Sequence, residues 1–156
     1  LLLYSDIANF IAGPVMTIVG TSDLAKRPDV GRGVGCRILD EPDTIEVLIS
    51  RWQWAETIMN IEQTGQAAFT FVRPADYRAY QVKGDTHLRA CEPADRDLSR
   101  RYIKNVTEAL EEQGVPSSIA AVWLTDRDLV VARVKITSLS IKTPGSGAGS
   151  AIGEQA

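Results

Sequence analysis

The chain has one histidine and two cysteines among its 156 residues. A lone His87 supports no histidine-rich metal site. It also leaves no base for a Ser–His–acid triad except itself. Cys36 and Cys91 are too few for a disulfide framework and lack Cys-x-x-Cys spacing, so an intracellular, reduced state in the cytoplasm is expected. No apolar run approaches the ~20 residues that span a bilayer, and no membrane partner is expected. The opening LLLYSDIANFIAG is apolar but has no basic leader and no clear small-residue cleavage site. It is expected to pack on the fold rather than act as a signal peptide, and the missing initiator Met suggests a start downstream of the true one. A formal net charge of −3 gives no support for a nucleic-acid surface. There is no Walker loop and no GxGxxG motif. Gly31, Gly33 and Gly35 are close together, but inside a strand pattern rather than opening a helix.

What is present suits one domain with a sizeable core: 44% of residues are apolar and 24% charged. Residues 15–19, 29–39, 44–50, 66–72, 77–84, 119–124 and 129–136 read as strands. The fifth runs on toward Cys91 through a bulge or turn near Gly84–Asp85, and the last extends through a bend toward Lys142. Residues 8–10 form a short helical turn. Trp54, Ile58 and Ile61 recur at helical spacing and Gly65 closes that helix. Pro93 opens a longer helix over 93–113, striped by Leu98, Tyr102, Val106 and Leu110. Residues 1–142 make a single domain, and the Gly/Ser-rich stretch 143–156 reads as a flexible tail. Strands linked mostly by tight turns argue against a doubly wound sheet. They favour a mostly antiparallel β-barrel with two or more appended helices.

Four segments in order, GPVMTIVGT, RPDVGRGVGCRIL, the strand–helix block ending at Gly65, and YQVKG, carry a resemblance. They resemble the pyridoxamine 5′-phosphate oxidase-like family of FMN-binding split barrels. The likeness is to the wider family rather than the oxidase itself. It covers residues 13–84 and, more loosely, the later helix and strands. It implies an antiparallel split β-barrel, an FMN cofactor, a homodimer with the flavin site between subunits, and oxidoreductase activity on an unknown substrate.

The family's Arg–x–Val–x–x–Lys phosphate pattern falls on Arg32–Gly33–Val34–Gly35–Cys36–Arg37, which makes Arg32 and Arg37 the basic pair. By strand alternation alone, their odd separation puts them on opposite faces, unless a bulge at the glycines brings them together. Without the resemblance they read as exposed arginines on an edge strand. The family's Ser–Arg–Lys motif at the start of the short helix is here Ala55–Glu56–Thr57. Two positive charges are gone and a carboxylate has entered. Thr57 and the helix N-terminus keep donors, and Arg51 could substitute. In YQVKG, Gln81 matches the residue near the flavin ring, and Lys83 could neutralise an anion. Trp52 is a candidate for stacking on a planar ring, whereas Trp54 shares the apolar stripe of its helix and packs. The chain end ITSLSIKTPGSGAGSAIGEQA has no Arg–x–His substrate segment, which argues against vitamin B6 oxidation.

No catalytic residue and no metal site is assigned, so the residues do not decide between an enzyme and a binding module. The alternatives are a non-enzymatic barrel holding haem, a deazaflavin or another planar ligand, or a cofactor-less structural or interaction protein. Haem would need an axial ligand from His87, Cys36, Cys91 or a tyrosine.

Overall fold

Period-2 patterning along six segments closes into a barrel. The structure, a computed structural model, describes residues 2–153. The elements run α1 (Ser5–Ile11), β1 (Met16–Ser22), β2 (Pro28–Ile38), β3 (Thr44–Ser50), α2 (Ala55–Thr64), β4 (Gln66–Val72), β5 (Ala79–Ala90), α3 (Pro93–Glu112), α4 (Ser117–Trp123) and β6 (Leu129–Ile141). The strands close in the order β1-β2-β3-β6-β5-β4, and every neighbouring pair is antiparallel. The split-barrel expectation holds.

Alternate residues fill the barrel. Val19, Ile45, Val47, Ile49, Phe69, Phe71, Val82, Ala132 and Val134 form its interior with Ile7 and Ile11 of α1 and Ile58 and Ile61 of α2. A second core lies outside the wall. There Val34, Leu48 and Val131 meet Tyr102, Val106 and Leu110 of α3 and Ala120 of α4. β3 is therefore buried along its whole length, because both of its faces are covered.

Residues 119–124 were expected to be the sixth of seven strands; they are not a strand. They lie in and just after α4, which corrects the count to six strands among the described residues. A short apolar run cannot be told from a helix by periodicity. Here Ala120 and Leu124, four apart, both reach the outer core, with Trp123 packed against it. The strand expected from residue 77 begins at Ala79, because Tyr77 holds φ 58 in the preceding turn. It then continues to Ala90, and its pairing with β6 slips between Lys83 and Gly84. α2 ends at Gly65, whose φ of 64 closes it in the left-handed conformation.

The Gly/Ser-rich stretch is tied back onto β6. Gly149 N donates to Ile141 O at 2.7 Å and Ile152 N to Leu139 O at 2.8 Å, while Ile152 packs on the barrel core. Residues 154–156 of the expected tail lie outside the described residues. Among the described residues, no helix is long and apolar enough to cross a membrane.

Candidate functional site

The glycines of β2 decide where its arginines point. Pairing with β3 slips between Gly33 and Cys36. Gly35 sits at the slip with φ 150, a backbone angle that residues with a Cβ rarely adopt. Past this bulge the alternation changes phase. Cys36 lies in the barrel interior, and Val34 in the outer core. Arg32 stands over Trp123 of α4, and Arg37 reaches Glu46 and Asp95 outside the wall. The bulge thus puts both arginines on the outer face, but their heads serve different partners.

Arg37 belongs to a knot of charge. Glu46 of β3 and Asp95 of α3 are each 1% exposed. Glu46 accepts from Arg37 at 3.0 Å, from Arg89 at 2.9 and 2.8 Å, and from Arg133 at 3.2 and 3.0 Å. Asp95 accepts from Arg37 at 3.0 Å and from Arg89 at 2.8 and 3.0 Å. It also accepts from the backbone N of Glu92, completing a capping box at the start of α3. The Arg89 guanidinium holds the Glu46 carboxyl below its ordinary range and the Asp95 carboxyl at about 2. Two carboxylates share three guanidiniums, so Arg37 is committed to holding α3 on the barrel.

Arg32 is placed differently. Strand register sets it in a cross-strand row, Arg32–Ile18–Thr70–Gln81–Ser140. The row beside it runs Val30–Gly20–Ala68–Lys83–Ser138. Arg32, Gln81 and Lys83 therefore share one outward face across β2, β1, β4 and β5. Arg32 and Gln81 are three strand spacings apart along the sheet, roughly 14 Å. Between them the wall carries only Ile18 and Thr70. Beside them, Gly20, Ala68, Val30 and Lys83 line an open cleft of about 340 Å³. Gln81 Nε2 donates to Thr70 Oγ1 at 2.9 Å, which leaves its carbonyl oxygen and a second N–H for a ligand. Among the described residues, neither Arg32 nor Lys83 has a carboxylate within ion-pair distance.

The remaining candidates do not join this row. Thr57 is fully buried, and its hydroxyl donates to Asp29 Oδ2 at 3.0 Å. A side chain at Gly31 would collide with that hydroxyl. Arg51 lies 3.6 Å from Glu62, beside a separate cleft lined by Leu88 and Cys91. Trp52 is 56% exposed, with the Arg127 guanidinium 4.3 Å above its ring. Trp54 packs on the barrel core, as its stripe implied. Burial pushes the Cys36 thiol and the Tyr102 hydroxyl each up to about 12, so neither is an activated nucleophile.

Sequence reasoning missed Trp123, having placed it in a strand. It also missed Glu46, whose only local sign was a charge between Ile45 and Val47.

No protein-family model and no curated protein matches the chain. Solved structures do. One is a candidate pyridoxamine 5′-phosphate oxidase from Lactobacillus delbrueckii, at 14% identity and TM-score 0.56, covering 88% of this chain and 92% of that one. An F420 reductase matches at 13% identity and TM-score 0.53, covering 88% and 98%. HutZ, a haem storage protein of Vibrio cholerae, matches at 15% identity and TM-score 0.52, covering 90% and 95%. At such identities the likeness is one of fold. The closed antiparallel barrel, its helices and these neighbours agree: the chain has the split-barrel fold of the pyridoxamine 5′-phosphate oxidase-like proteins.

Proposed function

We propose that the chain binds FMN across the outward face of β2, β1, β4 and β5, and serves as a flavin-dependent oxidoreductase. One observation carries the reading: the register brings Arg32, Gln81 and Lys83 onto one face, with Arg32 paired to no carboxylate among the described residues. A phosphate suits the Arg32 guanidinium, whose donors form a fork. An isoalloxazine edge suits the unspent oxygen and N–H of Gln81. The short side chains of Gly20, Ala68 and Thr70 leave room for a planar ring on the wall. Bound FMN would supply the hydride or electron chemistry. The chain would supply orientation and charge. The neighbours' names, a candidate pyridoxamine 5′-phosphate oxidase and an F420 reductase, support the oxidoreductase class.

The face is open, so a second copy is needed to shield the ring from water. Exposed Val30 beside it, with Val122 and Trp52 on nearby loops and α4, supports a homodimer. Light scattering should then give the dimer mass at micromolar concentration; a stable monomer would count against this part. The free Cys36 and Cys91 fit a reducing compartment such as the cytoplasm.

The test begins with the absorbance spectrum of the purified protein, followed by titration with FMN and riboflavin. Hydrogen bonds to charged groups contribute about 1.5–3 kcal/mol. Arg32→Ala should therefore weaken FMN roughly ten- to a hundred-fold. It should leave riboflavin, which has no phosphate, nearly unchanged. A wild type that binds neither flavin, or both equally, would end the phosphate reading. A Soret band that disappears in His87→Ala would move the ligand to haem, since His87 stands outward on β5 beyond Lys83.

A further inference from the structure

We infer that Trp123 is the positioning residue of the anion subsite, presenting the Arg32 guanidinium to a phosphate. The inference rests on the proposed role of Arg32. A free arginine side chain has many rotamers, and binding must otherwise overcome the entropy of fixing one. Arg37 is ordered by carboxylates, but they consume its donors. Arg32 is ordered without that loss. Its guanidinium carbon sits 4.9 Å from the centroid of the Trp123 ring, and no hydrogen bond from it is formed among the described residues. Stacking on an aromatic face engages the plane of the guanidinium and leaves its edge donors free. Those edge donors are what a phosphate takes.

The indole is itself held. Trp123 packs on the outer core beside Ala120 and Leu124 of the same segment. α4 is only seven residues long and has no side-chain cap, so it depends on such contacts. Gln53 Nε2, from the loop between β3 and α2, donates to Val122 O at 2.7 Å and ties down the residue before the indole. Trp123 of α4 and Arg32 of β2 thus meet on the outer side of the wall, each set by its own element.

The test is FMN and riboflavin binding by wild type, Arg32→Ala, Trp123→Leu, Trp123→Phe and the Arg32→Ala/Trp123→Leu pair. Leucine keeps apolar bulk but lacks a π face. Trp123→Leu should weaken FMN roughly three- to thirty-fold, within the range of cation–π contacts, and leave riboflavin unchanged. Trp123→Phe should recover most of the FMN affinity. The double variant should be no weaker than Arg32→Ala alone, because Trp123 acts through that side chain. If Trp123→Leu binds FMN like wild type while Arg32→Ala does not, this inference falls and the phosphate reading stands. Equal weakening of FMN and riboflavin would also overturn it, since that marks general packing. If wild type does not prefer FMN over riboflavin, the phosphate reading has failed and the positioning role goes with it.

Discussion

Gly84→Ala is expected to lower stability by about 3 kcal/mol or more, at the severe end for a single methyl group. Gly84 lies where the pairing of β5 and β6 slips register. A Cβ there would land on the carbonyl of Lys135, and 3.1 Å from the Cα of Ile136. Those are backbone atoms of the neighbouring strand, so no side-chain rotation relieves the contact. The strands cannot simply part, because β5 is also paired to β4 and β6 to β3 in a closed wall. For a chain of this length the melting temperature should fall by roughly 6 °C or more. Gly20→Ala is the control. Its Cβ would meet only Ala68, at 3.8 and 4.0 Å. It should change stability by less than about 0.5 kcal/mol. Urea and thermal melts of both variants decide the matter: a Gly84→Ala protein that melts with wild type would show that the bulge yields.

Removing one acid from the charge knot should cost a similar amount. Glu46→Gln leaves the guanidiniums of Arg37, Arg89 and Arg133 facing a neutral amide in a buried place. Breaking a buried network from one side costs about 3–5 kcal/mol. Water still reaches the three arginines, whose side chains are 33%, 29% and 51% exposed, so roughly 3 kcal/mol is expected. Asp95→Asn adds a pH signature. The Asp95 carboxyl is held at about 2 in the fold, chiefly by Arg89. Unfolded, it titrates near 4. Its folded pKa is depressed, so its contribution of roughly 2 kcal/mol is whole above pH ~4 and is lost as pH falls toward 2. Wild type should lose stability steeply in that window. Asp95→Asn should be weaker at pH 7 and flatter between pH 4 and 2, so the two curves converge in acid. Parallel curves would show that Asp95 is not held by the arginines.

The two variants also bear on where α3 is held. Asp95 caps the first turn of α3 and pairs with arginines on β2 and β5. Loosening it frees the end of the helix that packs Tyr102, Val106 and Leu110 on the wall. Amide exchange in the first turns of α3 should rise before exchange in β3 does.

Much of this architecture was legible locally. Alternation marks β3 and β4 because one face of each is the barrel interior, and period 2 is what a wall with an inside imposes. The stripe Tyr102, Val106, Leu110 marks α3 for the same reason at helical period. Gly65 and Pro93 mark helix ends through their own backbone restrictions. Gly84–Asp85 reads as a bulge, and the register slips there. Residues 119–124 were misread because six apolar residues satisfy a strand and a helix alike.

The site divides along the same line. The sequence by itself determined that the chain makes an antiparallel barrel and that β2 carries two arginines around a run of glycines. It did so because propensity, period and capping act between residues a few positions apart. Only the tertiary structure decided what those arginines do. Gly35 shifts the phase of β2 so that both point outward. Glu46 on the next strand and Asp95 on α3 then capture Arg37, while Trp123 on α4 takes Arg32 by its face and leaves its donors free. Gln81 and Lys83 join Arg32 only through the register of β1, β4 and β5. Charge pairing and stacking depend on distance in space rather than along the chain. Two arginines in one short motif were therefore sent to different partners, none of which their own segment contains.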